Sequence, residues 1–180
     1  MRVLRFVSLL AIACGSSPPP TAEPPPSLVP ARLTASPLRL APGATALAPV
    51  CAEGAEEACD AVDQDCDGAI DEGCEGAPAA ALTAAAAWSG PARIELSIAG
   101  PSSTSAAGEC DAPSLARAAL DAPAPGTYRV EVARADACGG EAPVTVSVSL
   151  AVGGETLGPF NRTLRPGERA PVLELDLSAR

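Results

Sequence analysis

The sequence predicts a mainly β protein: a single antiparallel β-sandwich over residues 80–180, preceded by a small disulfide-stapled acidic loop motif and a disordered Pro-rich stalk. Three observations predict it. Apolar and polar residues alternate with period two through the C-terminal half, four cysteines and ten acids share the window 51–76, and ten prolines crowd positions 15–50.

At the N-terminus, Arg2 and Arg5 precede an apolar run from Phe6 to Ala13, and Cys14 follows. The run is too short to span a bilayer and has the layout of an export signal. It resembles a bacterial lipoprotein signal peptide, in which a Cys after a small residue is acylated. The resemblance implies removal of residues 1–13, lipidation of Cys14, and a protein exported to the outer membrane or cell surface and held there by lipid. A plain cleaved secretory signal is the alternative. Cysteine arithmetic agrees with acylation: of seven Cys, Cys14 would be consumed, leaving Cys51, Cys59, Cys66, Cys74, Cys110 and Cys138 as an even set for disulfides in an oxidising compartment.

Residues 14–50 read as a tether. Pro fixes φ and removes the amide donor, so runs such as Pro18–Pro20 and Pro24–Pro26 favour an extended, solvated chain. The alternative for part of it is that Arg32–Leu40 adds an edge strand to the domain downstream.

The window 51–76 carries the whole formal charge of −10, since it holds ten acids and no Arg while the rest balances 12 acids against 12 Arg. Within it, Asp63, Asp65, Asp67, Gly68 and Ile70 match positions 1, 3, 5, 6 and 8 of a calcium loop. Alternate carboxylates on a tight turn converge on one point, and Gly permits the left-handed turn. In this alignment Ala69 offers its backbone oxygen and Asp71 a carboxylate or a bridging water. Position 12, normally a bidentate Glu, is Cys74, so Glu72 or Asp60 has to complete the shell. The ligand set is therefore Asp63, Asp65, Asp67, Ala69, Asp71 and Glu72, a weak site with Kd on the order of 10⁻⁴–10⁻³ M. Hard oxygens suit Ca²⁺, whereas copper would favour thiolates or imidazoles; the chain has no His. Spacings of seven, six and seven residues between the four Cys lack a zinc knuckle and point to two disulfides, with three connectivities open. A stapled acidic linker that holds no ion is the competing reading.

The run Cys59-Asp-Ala-Val-Asp-Gln-Asp-Cys-Asp-Gly-Ala-Ile-Asp-Glu-Gly-Cys74 resembles the MopE-type metal-binding motif of exported deltaproteobacterial proteins. Ala61 stands where that pattern has Gly, and Gln64 where it has Asn. The resemblance implies metal binding, with copper in the family's name as the alternative to calcium, and implies no reaction.

In residues 80–180, Ile94/Leu96/Ile98, Tyr128/Val130/Val132, Val144 to Val152 and Leu173/Leu175/Leu177 alternate with polar residues. Strands are expected at 82–88, 92–98, 127–134, 143–152, 155–158, 160–165 and 171–178, separated by Gly/Pro turns. Trp88, Tyr128 and Phe160 are expected in the core, and Cys110 is expected to pair with Cys138. The strings Ala-Pro-Gly-Thr-Tyr-Arg-Val-Glu-Val (124–132) and Pro-Val-Thr-Val-Ser-Val (143–148) resemble YfaP-like and pre-peptidase C-terminal envelope sandwiches.

Several function classes are excluded. Without His there is no Ser/His/Asp triad, no Cys/His pair and no His-based zinc protease. A charge of −10 and four aromatics speak against nucleic acid. Glu95 and Glu131 could face solvent on neighbouring strands, yet a small sandwich seldom supplies the cleft a glycosidase pair needs. The expected protein is thus no enzyme; the remaining alternative, an enzyme working on cell-wall polymers, would need a cleft lined by convergent acids. Its partners are a membrane, through the lipid anchor, and a protein or polysaccharide; the sequence fixes no oligomeric state.

Overall fold

A computed structural model describes residues 33–74, 80–110, 114–135 and 138–179. The signal segment, Cys14 and most of the tether lie outside the described residues. Ten strands are described: β1 (Leu33–Leu40), β2 (Ala44–Ala46), β3 (Leu82–Trp88), β4 (Arg93–Ala99), β5 (Thr104–Ala107), β6 (Leu115–Leu120), β7 (Gly126–Ala135), β8 (Val144–Val152), β9 (Glu155–Leu164) and β10 (Arg169–Ala179). They form two five-stranded antiparallel sheets, ordered β1-β10-β7-β4-β5 and β2-β9-β8-β3-β6. No helix is present among the described residues.

Alternation builds the core. Ile94, Leu96 and Ile98 of β4, Tyr128, Val130 and Val132 of β7, and Val144 to Val152 at every second position of β8 enter one buried cluster between the sheets. In β10 a register shift between Pro171 and Leu173 turns the neighbours Val172 and Leu173 both inward. Trp88, Tyr128 and Phe160 are buried as expected. Their polar ends are satisfied, since Trp88 Nε1 donates to the Ala92 carbonyl at 2.9 Å and the Tyr128 hydroxyl donates to the Ala124 carbonyl at 2.9 Å.

Three expectations are corrected. The stalk does not extend to residue 50: β1 pairs with β10 and β2 with β9, so the edge-strand alternative holds for 33–40. Leu33, Ala35 and Leu38 pack against the core, and Pro37 falls within a register shift between Ala35 and Leu38, where a missing amide donor is tolerated on an edge strand. β5 and β6 were not expected, because Thr-Ser-Ala-Ala and the Ala-rich β6 carry a weak apolar signal. Even so, Ala116 and Ala118 of β6 are buried at alternate positions. Finally, the strands expected at 155–158 and 160–165 are one strand, β9, which passes Gly158-Pro159 through a register shift opposite Val148–Leu150.

The Ala run expected to be a strand is β3, paired on both sides by β6 and β8, so sheet pairing overrides its helical propensity. β3 is buried on both faces. Leu82, Ala84, Ala86 and Trp88 face the sandwich core, while Ala85 lies beneath the acidic motif, where Ala61 and Ile70 pack on it. The motif therefore forms a partial third layer on the outer face of the second sheet, within the same compact unit. Two overlapping disulfides close it, Cys51–Cys66 and Cys59–Cys74, each spanning 15 residues, and Cys110–Cys138 closes a span of 28. A 15-residue loop contributes about 3 kcal/mol by restricting the unfolded chain.

Because Ala85 has no room above it, Ala85→Leu should lower unfolding free energy by about 1–3 kcal/mol through overpacking. Thr145→Val, at an exposed outer-face position of β8, should stay within about 0.5 kcal/mol. Urea denaturation of the two variants checks the difference.

Candidate metal centre

Residues 51–74 have no helix or strand, and their backbone is shaped by side-chain carboxylates. Asp63 is 8 % exposed. Its Oδ1 accepts the Cys66 amide at 2.7 Å, and its Oδ2 accepts the Gly68 amide at 3.1 Å and the Thr156 hydroxyl at 2.7 Å. Asp65 Oδ1 accepts the Asp67 amide at 3.0 Å, and Asp67 Oδ1 accepts the Ala69 amide at 2.8 Å. Each Asp thus caps the turn that presents the next one. Gly68 is required twice over: its φ is +90°, and a Cβ there would lie 2.2 Å from the Gly154 carbonyl oxygen of the β8–β9 turn.

This winding gathers carboxylates. One oxygen from each of Asp63, Asp65 and Asp67 lies within 4.8 Å of the others, and a second set, Glu57, Asp65 and Glu72, meets the same limit. Asp65 belongs to both. Glu57 was not singled out in the sequence, because it precedes the calcium-loop pattern. It is drawn in by Gln64, whose amide donates to Glu57 Oε1 at 2.8 Å, and by the Asp71 amide, which donates to Oε2 at 2.9 Å.

Glu72 is expected as a shell-completing ligand, and its carboxylate does reach the second set, with Oε2 buried and without a hydrogen-bond partner among the described residues. Burial first, then the nearby Glu57, Asp67 and Asp65 charges, push the Glu72 carboxyl above its ordinary value of 4.5, against the pull of a backbone hydrogen bond. Asp60, the other candidate to complete the shell, is absent from both sets: its Oδ1 accepts Gln64 Nε2 at 2.6 Å and the Val62 amide at 3.2 Å.

Asp71 requires a correction. Expected at the ninth loop position as a ligand, it is fully buried and turned to the sheet. Its Oδ1 accepts the Ala61 amide at 2.9 Å, and its Oδ2 faces Arg117 Nη2 of β6 at 3.3 Å. Burial raises the Asp71 carboxyl above 3.8 despite the opposing pull of the Ala61 amide and the Arg117 charge. Asp71 is an anchor between motif and sandwich. Removing one partner of such a buried pair is expected to be strongly destabilising, because the other charge stays buried. The Ala69 carbonyl oxygen lies 3.4 Å from the Thr156 hydroxyl, whose shorter bond goes to Asp63.

The arrangement suits a hard cation. Its donors are carboxylates, and the four thiols nearby are all in disulfides. Like charges this close repel by on the order of 1–4 kcal/mol per ionised pair, between bulk water and a protein surface. Away from the motif, Glu95 pairs with Arg169 at 3.1 Å, and Glu131 lies 3.6 Å from Arg129 and 3.9 Å from Arg169. These acids form a solvated ladder on the first sheet. A cleft of about 400 Å³ lies between the motif and the β8–β9 hairpin, with Val62, Asp63, Ser149, Thr156 and Pro159 among its walls.

No protein-family model matches the chain, and neither do any of the curated proteins or solved structures.

Proposed function

We propose that this chain is an exported, lipid-anchored envelope protein without catalytic activity, whose acidic motif binds Ca²⁺ and whose β-sandwich serves adhesion or surface assembly through a protein or polysaccharide partner. The observation that carries the reading is the convergence of Asp63, Asp65 and Asp67, with Glu57 and Glu72 closing on Asp65 from the other side. Three disulfides support an oxidising, exported environment. Lipidation at Cys14 and the outer-membrane or cell-surface location rest on the signal-peptide resemblance. Calcium is favoured over copper because every gathered donor is a hard oxygen and the neighbouring sulfurs are oxidised. The ion neutralises charges that would otherwise repel, so its binding is linked to ordering of the loop.

Asp65 is shared by both sets, so Asp65→Asn should weaken Ca²⁺ binding at least tenfold from a Kd on the order of 10⁻⁴–10⁻³ M. Glu95→Gln should leave it unchanged. Calorimetric titration of the mature protein with Ca²⁺ and separately with Cu²⁺ checks this: heat from Ca²⁺ alone supports the reading, heat from Cu²⁺ alone reverses the metal assignment, and no heat from either removes it.

The raised carboxyls of Asp71 and Glu72 give a pH dependence with a definite sign. In the metal-free protein, the stability they contribute is fully present below their ordinary values near 4 and is lost as pH rises through their raised folded-state values. Of the two, only Glu72 belongs to a carboxylate set, so a cation that binds its ionised form opposes that part of the loss and competes with protons there. The rise in melting temperature given by 5 mM Ca²⁺ should be larger at pH 7 than at pH 4.5. An equal or smaller rise at pH 7 contradicts carboxylate coordination.

A further inference from the structure

The loop does not shape its own first ligand unaided. Gly153 and Gly154 join β8 to β9 with φ of +62° and +82°, a two-residue hairpin turn in which both positions need the left-handed region. This tight turn fixes Thr156 close to the hairpin tip, on the strand that runs beneath the acidic motif. There its hydroxyl donates to Asp63 Oδ2 at 2.7 Å and lies 3.4 Å from the Ala69 carbonyl oxygen, touching two of the expected ligands. Gly68 seats the loop on the same turn, with no space for a Cβ against Gly154. Ile70 and Ala61 on Ala85, and Asp71 on Arg117, hold the loop at two further points.

From this geometry we infer that Thr156 is a positioning residue for the calcium site, and that the β8–β9 hairpin is part of the metal-binding unit. The inference rests on the calcium reading and deepens it. The Thr156 hydroxyl fixes the rotamer of Asp63 before a cation arrives, so a cation finds the first carboxylate already aimed. By the same link, occupancy of the loop tightens the hairpin beneath it. Outer partners of metal ligands commonly contribute ten- to a hundredfold to affinity.

The test uses the full mature chain with Thr156→Val, which keeps the β-branched shape and removes the hydroxyl, and Thr156→Ser, which keeps the hydroxyl. Ca²⁺ affinity is read by calorimetry, and melting temperature is read in EDTA. Thr156→Val should bind Ca²⁺ about tenfold more weakly, Thr156→Ser within about twofold of the unmutated chain, and the two should melt within a few degrees of each other without metal. Amide exchange should slow at residues 154–157 as well as 63–72 when Ca²⁺ is added to the unmutated chain. If that chain binds Ca²⁺ and Thr156→Val binds as well as Thr156→Ser, the positioning role is overturned while the calcium reading stands. Should Thr156→Val fold poorly, exchange in the unmutated chain decides: protection confined to the loop overturns the link to the hairpin. If the unmutated chain takes up no Ca²⁺, both readings fall together.

Discussion

Ten carboxylates within 26 residues are an electrostatic load that a chain segment with few large apolar side chains cannot hold by packing of its own. The structure meets that load with three separate devices. Overlapping disulfides restrict the unfolded ensemble, backbone amides turn inward to solvate Asp63, Asp65 and Asp67, and the Ala-rich outer face of β3 gives Ala61 and Ile70 a surface to bury against. The winding has its own cost. Cys59, Ala61, Cys66 and Asp71 all adopt left-handed φ between 54° and 63°, and each such non-Gly residue is disfavoured by about 1–2 kcal/mol. What stays uncompensated is the repulsion within the two carboxylate sets, which is the property a divalent cation would use.

This arrangement alters the relation between motif and sandwich. They succeed one another in sequence and are stacked in space. The small side chains of β3 keep its outer face shallow, which lets an irregular loop approach closely enough for Asp71 to reach Arg117 and for Asp63 to meet Thr156. The opposite outer face, on the first sheet, carries Arg129 and Arg169 paired with Glu95, Glu131 and Glu174, so among the described residues the two faces differ in chemistry.

Strands with large side chains were legible from the sequence because period-two alternation records which face is buried. β4, β7 and β8 follow directly from it. β6 was not legible, since Ala at alternating positions carries too little hydrophobic contrast to reveal a face. β1 was obscured by Pro37, whose position in a register shift is a property of pairing with β10 and so invisible locally. The acidic site was legible in its local part: Asp63, Asp65, Asp67 and the turn glycine follow from spacing alone. Its non-local part was not. Glu57 arrives through Gln64 and the Asp71 amide, Asp71 leaves the expected shell for Arg117, and Thr156 comes from a strand 93 residues beyond Asp63. Spacing shows which groups a loop can converge, and it carries no information about the surface on which the loop rests.

The central claim is that a hard divalent ion neutralises the carboxylates between Glu57 and Glu72. It is tested most directly by ¹⁵N chemical-shift titration of the metal-stripped mature protein with CaCl₂ up to 10 mM, at constant ionic strength. The account predicts saturable shifts concentrated at residues 57–72 and at the β8–β9 turn, with a midpoint on the order of 10⁻⁴–10⁻³ M and reversal by EDTA. Small, unsaturated shifts spread over the whole acidic surface would contradict it and reduce the motif to a stapled spacer docked on a sheet.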